Sequence, residues 1–242
     1  YGYTIGEQYL DGDKDFRELW DIDDEVISCT SDANLSKTDM TFLITDDERD
    51  CAIGGYHIEV SCSGYDRDEL ETLIDDTSRD VERLGLYTIP SYIYSDYALR
   101  IGSFSSRRDA EEYLSDIEDI FPRNDVYVAS PTDTAVSVID PYDDVILFEY
   151  DCGGESELGL KAHEDKNGNT YIMTPARNVY DGVFCFKRYD NGDTDGVSLI
   201  NILPLEAYIA GVLPYETSNS WLPETLKAFA VTVRSFTLTH LN

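Results

Sequence analysis

One carboxylate in this chain stands apart from the rest. Glu216 closes the run Gly211-Val-Leu-Pro-Tyr-Glu216, between two segments of helical periodicity, with Tyr215 beside it and Trp221 shortly after. The first segment opens at Pro204, where a missing N–H costs nothing. It carries Leu205, Tyr208, Ile209 and Val212 on one side and is predicted to stop before Pro214. The second begins near Pro223-Glu224 and spaces Leu226, Phe229, Ala230, Val233 and Phe236 as a buried stripe. A carboxyl held among apolar side chains stays protonated near neutrality and can serve as a general acid. A carboxylate at the exposed N-terminus of a helix merely suits the dipole, and both readings of Glu216 stay open on spacing alone. Arg234 on the second segment offers two N–H donors to an anionic group, or a tie between the second helix and the loop.

The charge lies elsewhere. The chain carries −31 formally over 242 residues, yet Pro204 to Asn242 holds only three acids and two bases. Such an acidic balance argues against nucleic acid or an anionic surface as partner, because the approach is repelled at long range. A hydrophobic content of 42% suffices for a real core and for two or three domains. No run is long enough for a membrane span. The chain opens on Tyr1 without a signal sequence, as expected of a processed or excised segment. Cys29, Cys51, Cys62, Cys152 and Cys185 are an odd count without CxxC spacing, so neither a metal site nor a cofactor is predicted. Cys152 and Cys185 share a β-rich region and are candidates for a pair. Eighteen tyrosines and two tryptophans supply rings of the kind that stack on sugars, although tyrosine is equally at home in strands.

An α+β chain of three segments positions these residues. Residues 1–54 are acidic and weakly patterned, with one strand-like run from Met40 to Thr45, and read as an N-terminal extension of unknown fold. Residues 55–132 follow the order β-α-β-β-α-β. Tyr56, Ile58, Val60 and Cys62 alternate as a strand, and Leu70, Leu73, Ile74, Val81 and Leu84 recur as a helix ending at Gly85. Tyr87 to Ser95 and Tyr97 to Ile101 are strands, one helix face runs from Ala110 to Phe121, and Val126 to Val128 closes the series. The two halves repeat each other, which predicts a four-stranded antiparallel sheet with two helices on one face, the ferredoxin-like arrangement. Residues 134–202 are β-rich, with hairpin signals at Lys166-Asn-Gly-Asn169 and Asp190-Asn-Gly-Asp193, and 203–242 hold the helical motif. Asn191 to Gly196 mimics half of a calcium loop, but Ile202 stands where the bidentate Glu belongs, so a plain turn is predicted.

Two resemblances add to this. Tyr97-Ala-Leu-Arg-Ile-Gly-Ser-Phe-Ser-Ser-Arg-Arg-Asp-Ala110 resembles the strand-to-helix motif of SPOR domains, over roughly residues 55–132. That resemblance implies binding of peptide-stripped peptidoglycan on an open sheet face; a structural spacer without ligand is the alternative. Leu203-Pro-Leu-Glu-Ala-Tyr208, Gly211-Val-Leu-Pro-Tyr-Glu216 and Leu226-Lys-Ala-Phe-Ala-Val-Thr-Val-Arg234 resemble the N-terminal half of the SpoIID/LytB domain family, over residues 175–242. SpoIID-type members are lytic transglycosylases of stripped glycan strands, so the resemblance implies Glu216 and Arg234 as catalytic residues. Tyr215 and Trp221 become candidate substrate contacts. Thr217-Ser218 and Phe229 depart from the family's usual Met-Pro and Gln. The family domain continues beyond the equivalent of Asn242, so a further C-terminal fragment or a partner chain is expected to complete the site. Peptidoglycan glycan is the expected ligand, outside the cytoplasm at the cell wall or on a membrane anchor. LytB-type relatives imply the alternative of a non-enzymatic enhancer of a cell-wall amidase.

Overall fold

The computed structural model describes residues 2–10, 16–164, 166, 170–190, 195–218 and 220–240. The first strands are β1 (Tyr3–Gln8), β2 (Arg17–Ile22), β3 (Ser28–Ser31), β4 (Leu35–Thr38), β5 (Thr41–Ile44) and β6 (Tyr56–Ser61). Helix α1 (Arg67–Arg83) leads to β7 (Thr88–Ile93) and β8 (Asp96–Phe104), then α2 (Arg107–Glu111), α3 (Leu114–Ile120) and β9 (Val126–Ala129). The remaining strands are β10 (Val136–Asp140), β11 (Val145–Asp151), β12 (Glu157–Ala162), β13 (Ile172–Met173), β14 (Val179–Tyr180), β15 (Val183–Asp190) and β16 (Asp195–Ile202). Helices α4 (Leu205–Glu216) and α5 (Pro223–His240) end the described chain.

The fold is α+β, built on a seven-stranded sheet, β3-β10-β11-β7-β8-β6-β9, and a five-stranded sheet, β16-β15-β12-β1-β2. Within the larger sheet β9, β6, β8 and β7 are antiparallel neighbours. The sheet does not stop at four strands as expected: β7 takes β11 alongside in parallel, and β10 and β3 follow. The first 54 residues, whose fold the sequence left unknown, contribute strands to both sheets. Strands β1 and β2 pair in the smaller sheet beside β12, and β3 pairs with β10. Residues 167–169 and 191–194, in the two predicted turns and the first part of the calcium-like run, lie outside the described residues; Asp195 and Gly196 of that run open β16, which pairs antiparallel with β15.

Local chemistry explains the helices. Asp66 accepts from the Glu69 N–H while Glu69 accepts from the Asp66 N–H, a reciprocal capping box at the start of α1. Gly85 takes φ +76° just past its end, where a Cβ would be strained. The helix expected over 110–121 is two pieces, α2 and α3. The break falls at Tyr113, whose ring packs on Phe104 at 5.6 Å. All five cysteines are free thiols, so Cys152 and Cys185 do not pair.

The larger sheet curls sharply. Three strand spacings separate β6 from β11 and five separate it from β3, about 14 Å and about 24 Å in a flat sheet. Yet His57 Nε2 on β6 lies 3.3 Å from Glu149 Oε1 on β11 and 3.8 Å from Oδ1 of Asp32, which follows β3. The two ends are laced together where Asn34 accepts from the Gly55 N–H and donates to the Ser105 carbonyl. A bulge assists. Val138 faces Phe148 and Ile139 faces Ile146, so Leu147 has no opposite number and the strand's facing reverses there.

The outer face of the curl is apolar. Ile58, Val60, Leu99 and Ile101 pack with Leu70, Val81, Ala110 and Ile117 of the helices, while Tyr92, Phe148 and Tyr150 share the same core with Ile5, Leu19, Leu158 and Leu160 of the smaller sheet. The inner face holds a small cluster of Leu35, Ile53, Ile89, Ile139 and Ile146 and a buried ionic group. Arg100 bonds Glu59 through Nε at 3.0 Å and Glu149 through Nη1 at 2.8 Å, with Asp32 Oδ2 at 3.5 Å. Ser137 donates to Glu149, and Tyr127 donates to Glu59. The sheet face that a SPOR domain would leave open for glycan is therefore turned inward and filled: His57 and Arg100 are 0% and 2% exposed.

Burial opposes charge on His57, but the Glu149 carboxylate and Asp32 beside it prevail and push the imidazole up to about 10. Glu149 is held below the usual carboxylate range by His57 and Arg100 against the effect of its burial; Asp32 is raised by burial and by the charge of Glu149. In protein unfolded with a chelator and refolded, so that no metal ion contributes, the stabilisation from protonated His57 is fully present below about 6.5 and is lost as pH rises towards about 10, with the raised Asp32 acting in the same sense. Urea melts across that window should show falling stability, and His57→Gln should flatten the decline. Stability that rises with pH there would contradict the assignment. Arg100→Met, which leaves buried carboxylates unpaired, should cost about 3–5 kcal/mol in the same melts.

Candidate active site

Strand β16 delivers the chain to Pro204, whose carbonyl accepts from the Tyr208 N–H to start α4. Contrary to the sequence expectation, the helix runs through Pro214 to Glu216. Proline is tolerated because only one late N–H is lost, and both Pro214 and Ala210, whose carbonyl forfeits that bond, are exposed to water. Thr217 ends the helix by giving its N–H and its hydroxyl to the Leu213 carbonyl, at 3.0 and 2.6 Å. Glu216 is thus the last residue of α4. It is neither in a connection nor at a helix N-terminus, and it is exposed rather than enclosed by apolar side chains.

The two candidate rings stand near that end. Tyr215 precedes Glu216 and is 87% exposed. Trp221 lies in the short connection, partly exposed, with its ring edge-on to Phe229 at 6.1 Å and 72°. Phe229 therefore has a packing role, holding the indole beside the end of α4. Tyr215 and Glu216 at the end of α4 and Trp221 in the connection are all exposed, at the turn of an αα-hairpin.

Arg234 does not join them. Its Nε and Nη2 clamp the two oxygens of Glu206 at 2.9 and 2.6 Å, from α5 onto the first turn of α4. Glu206 and Glu216 are ten residues apart on one helix, about 15 Å along its axis. The arginine therefore ties α5 to the first turn of α4 at the open end of the hairpin, rather than to the loop. The expected buried stripe on α5 is only partly covered. Leu226, Phe229, Ala230 and Val233 are half-buried, while Phe236 is 65% exposed and no residue of α5 is fully buried. Ile209 is the buried residue of α4.

Among the described residues, one group of histidine and carboxylates lies close enough to hold a metal ion: Asp32, His57 and Glu149, inside the curled sheet and not at Glu216. Sequence reasoning missed it. Its members come from three distant segments, and His57 and Glu59 alternate with Ile58 and Val60 as solvent-facing residues of a half-buried strand would.

Residues 193–242 match the SpoIID family model, stage II sporulation protein. The match takes in β16 from its start, α4 and α5, and with them Glu216 and Arg234; the rest of the chain lies outside it. It links this end of the chain to a sporulation- and cell-wall-related family. An uncharacterized protein of Brachyspira hyodysenteriae is 34% identical over 94 residues, a stretch covering 36% of this chain and 24% of that protein. No solved structure matches the chain. Among the described residues no helix is long and apolar enough to cross a membrane.

If the Glu206–Arg234 clamp fastens α5 to α4, Arg234→Gln and Glu206→Gln should each speed hydrogen exchange along α5. The double variant should exchange no faster than either single one. Additive effects would show that the pair is not coupled.

Proposed function

We propose that this protein acts on peptide-stripped peptidoglycan outside the cytoplasm, cutting the glycan by a lytic transglycosylase reaction with Glu216 as the acid and base. The observation that carries the reading is the family match over 193–242, which brings Glu216 with it. The exposed rings of Tyr215 and Trp221, close to that carboxyl in sequence, support it, since sugars stack on such faces.

One carboxyl suffices for this chemistry. Glu216 gives its proton to the glycosidic oxygen as the C1–O bond breaks. The sugar's own 6-hydroxyl then attacks C1, and the Glu216 carboxylate takes the proton that this hydroxyl releases. The product is a 1,6-anhydro end, and no second carboxylate is needed to activate water. Arg234 serves as a positioning residue, because its guanidinium is engaged by Glu206.

A second reading follows from the exposure of Glu216: the hairpin is a docking element that stimulates a cell-wall amidase without cutting glycan itself. The two separate in one assay. Incubated with amidase-stripped strands, the protein should release anhydro-ended fragments detectable by mass spectrometry, and Glu216→Gln should lower their yield by about 100-fold or more. Equal yields from both would overturn the role of Glu216. An absence of product together with faster hydrolysis by an added amidase would favour the docking reading.

A further inference from the structure

The buried group of Asp32, His57 and Glu149 has the geometry of ligands around a metal ion. His57 donates from Nδ1 to the Gly102 carbonyl at 2.7 Å, because a carbonyl can only accept. This fixes the ring so that Nε2 points at the two carboxylates. A backbone carbonyl on one ring nitrogen, leaving the other for a cation, is the usual support of a metal-bound histidine.

Without an ion, a protonated Nε2 meets the two carboxylates only loosely. It lies 3.3 Å from Glu149 Oε1 and 3.8 Å from Asp32 Oδ1, and Nε2 and both Asp32 oxygens are buried without a hydrogen-bond partner. All three residues are at most 3% exposed, so water does not relieve them. Leaving such atoms unsatisfied costs about 1–3 kcal/mol each, and more when charged. The spacings suit a shared ion better. The ligand-to-ligand edge of a tetrahedron with bonds of about 2.0–2.1 Å is about 3.3–3.4 Å.

Charge points the same way. When a divalent cation takes the place of the His57 Nε2 proton, Asp32, Glu59 and Glu149 are balanced in formal charge by Arg100 and the ion. The carboxylates are also fixed by their neighbours. Arg100 takes Glu149 Oε2 and lies 3.5 Å from Asp32 Oδ2, while Ser137 donates to Glu149 Oε1 at 3.0 Å. These contacts leave the facing oxygens aimed at Nε2.

We propose that Asp32, His57 and Glu149 bind a divalent transition-metal ion such as Zn²⁺, a structural ion that pins the end of β3 to β6 and β11 and so closes the curl of the larger sheet. One nitrogen and two carboxylate oxygens form a donor set that Zn²⁺ accepts. The ion enters during folding, because the finished site is sealed from solvent.

The test uses the whole chain, unfolded with a chelator and refolded with or without Co²⁺ or Zn²⁺. One equivalent of metal should stay with the protein after gel filtration and raise its melting temperature. The Co²⁺ form should show visible d–d absorption without sulfur charge transfer, and X-ray absorption of the Zn²⁺ form should show only nitrogen and oxygen neighbours, one of them imidazole. Asp32→Asn, which keeps the shape of the side chain, should lose more affinity than the roughly 10–100-fold that outer-shell changes cost. A chain that refolds without retaining metal, a sulfur neighbour, or undiminished binding by folded Asp32→Asn would each overturn the site. The absorption spectra decide the matter even if that variant does not fold.

Discussion

Arg100 is buried against Glu59 and Glu149, with Asp32 and His57 completing the group, and the larger sheet is shaped around that contact. Charges taken out of water repay their desolvation only when each finds its partners in good geometry. Here the partners come from β6, β8, β11 and the end of β3, which would stand far apart in a flat sheet. Curling is the one way to bring them into contact. It also sends the apolar residues of the same strands outward, onto α1 to α3 on one side and onto the smaller sheet on the other. The bulge at Leu147 and the lacing by Asn34 serve this arrangement.

The C-terminal hairpin follows a different logic. It carries little net charge and is held by the Glu206–Arg234 clamp, the Trp221–Phe229 edge contact and, among its described residues, one buried side chain, Ile209. Elements with so few buried contacts open at lower free energy than a sheet core. The proposed chemistry thus sits on the more loosely held part of the molecule, at the turn of the hairpin, where a long glycan strand can approach without entering a cleft. The acidic body lies before it in sequence, and stripped glycan is itself anionic, so a nearly neutral hairpin is the part of the chain that repels such a strand least.

Local signals in the chain were legible wherever period and capping agree. The alternation of Ile58 and Val60, the spacing from Leu70 to Leu84, the stop at Gly85 and the two C-terminal helices all stand near their expected places. What the sequence does not show is how strands from distant segments combine. The parallel pairing of β7 with β11 and the sharing of both sheets by the first 54 residues leave no local trace, because backbone hydrogen bonds between strands carry no residue code. The same limit hid the ionic group. At the candidate site the motif located Glu216, Tyr215 and Trp221 at one end, but not the length of α4. A proline in the last turn loses one bond that water replaces, so Pro214 did not end the helix. Arg234 stood out by type, while its pairing with Glu206 depended on the antiparallel packing of α4 and α5.

The proposed division between a charge-shaped body and a hairpin that meets glycan is tested most directly by hydrogen exchange on the intact protein, with and without amidase-stripped glycan strands. The account expects slowed exchange confined to α4, α5 and their connection, from Leu205 to His240, with β6, β8 and β11 unchanged. Protection that appears in the curled sheet and leaves the hairpin untouched would contradict it.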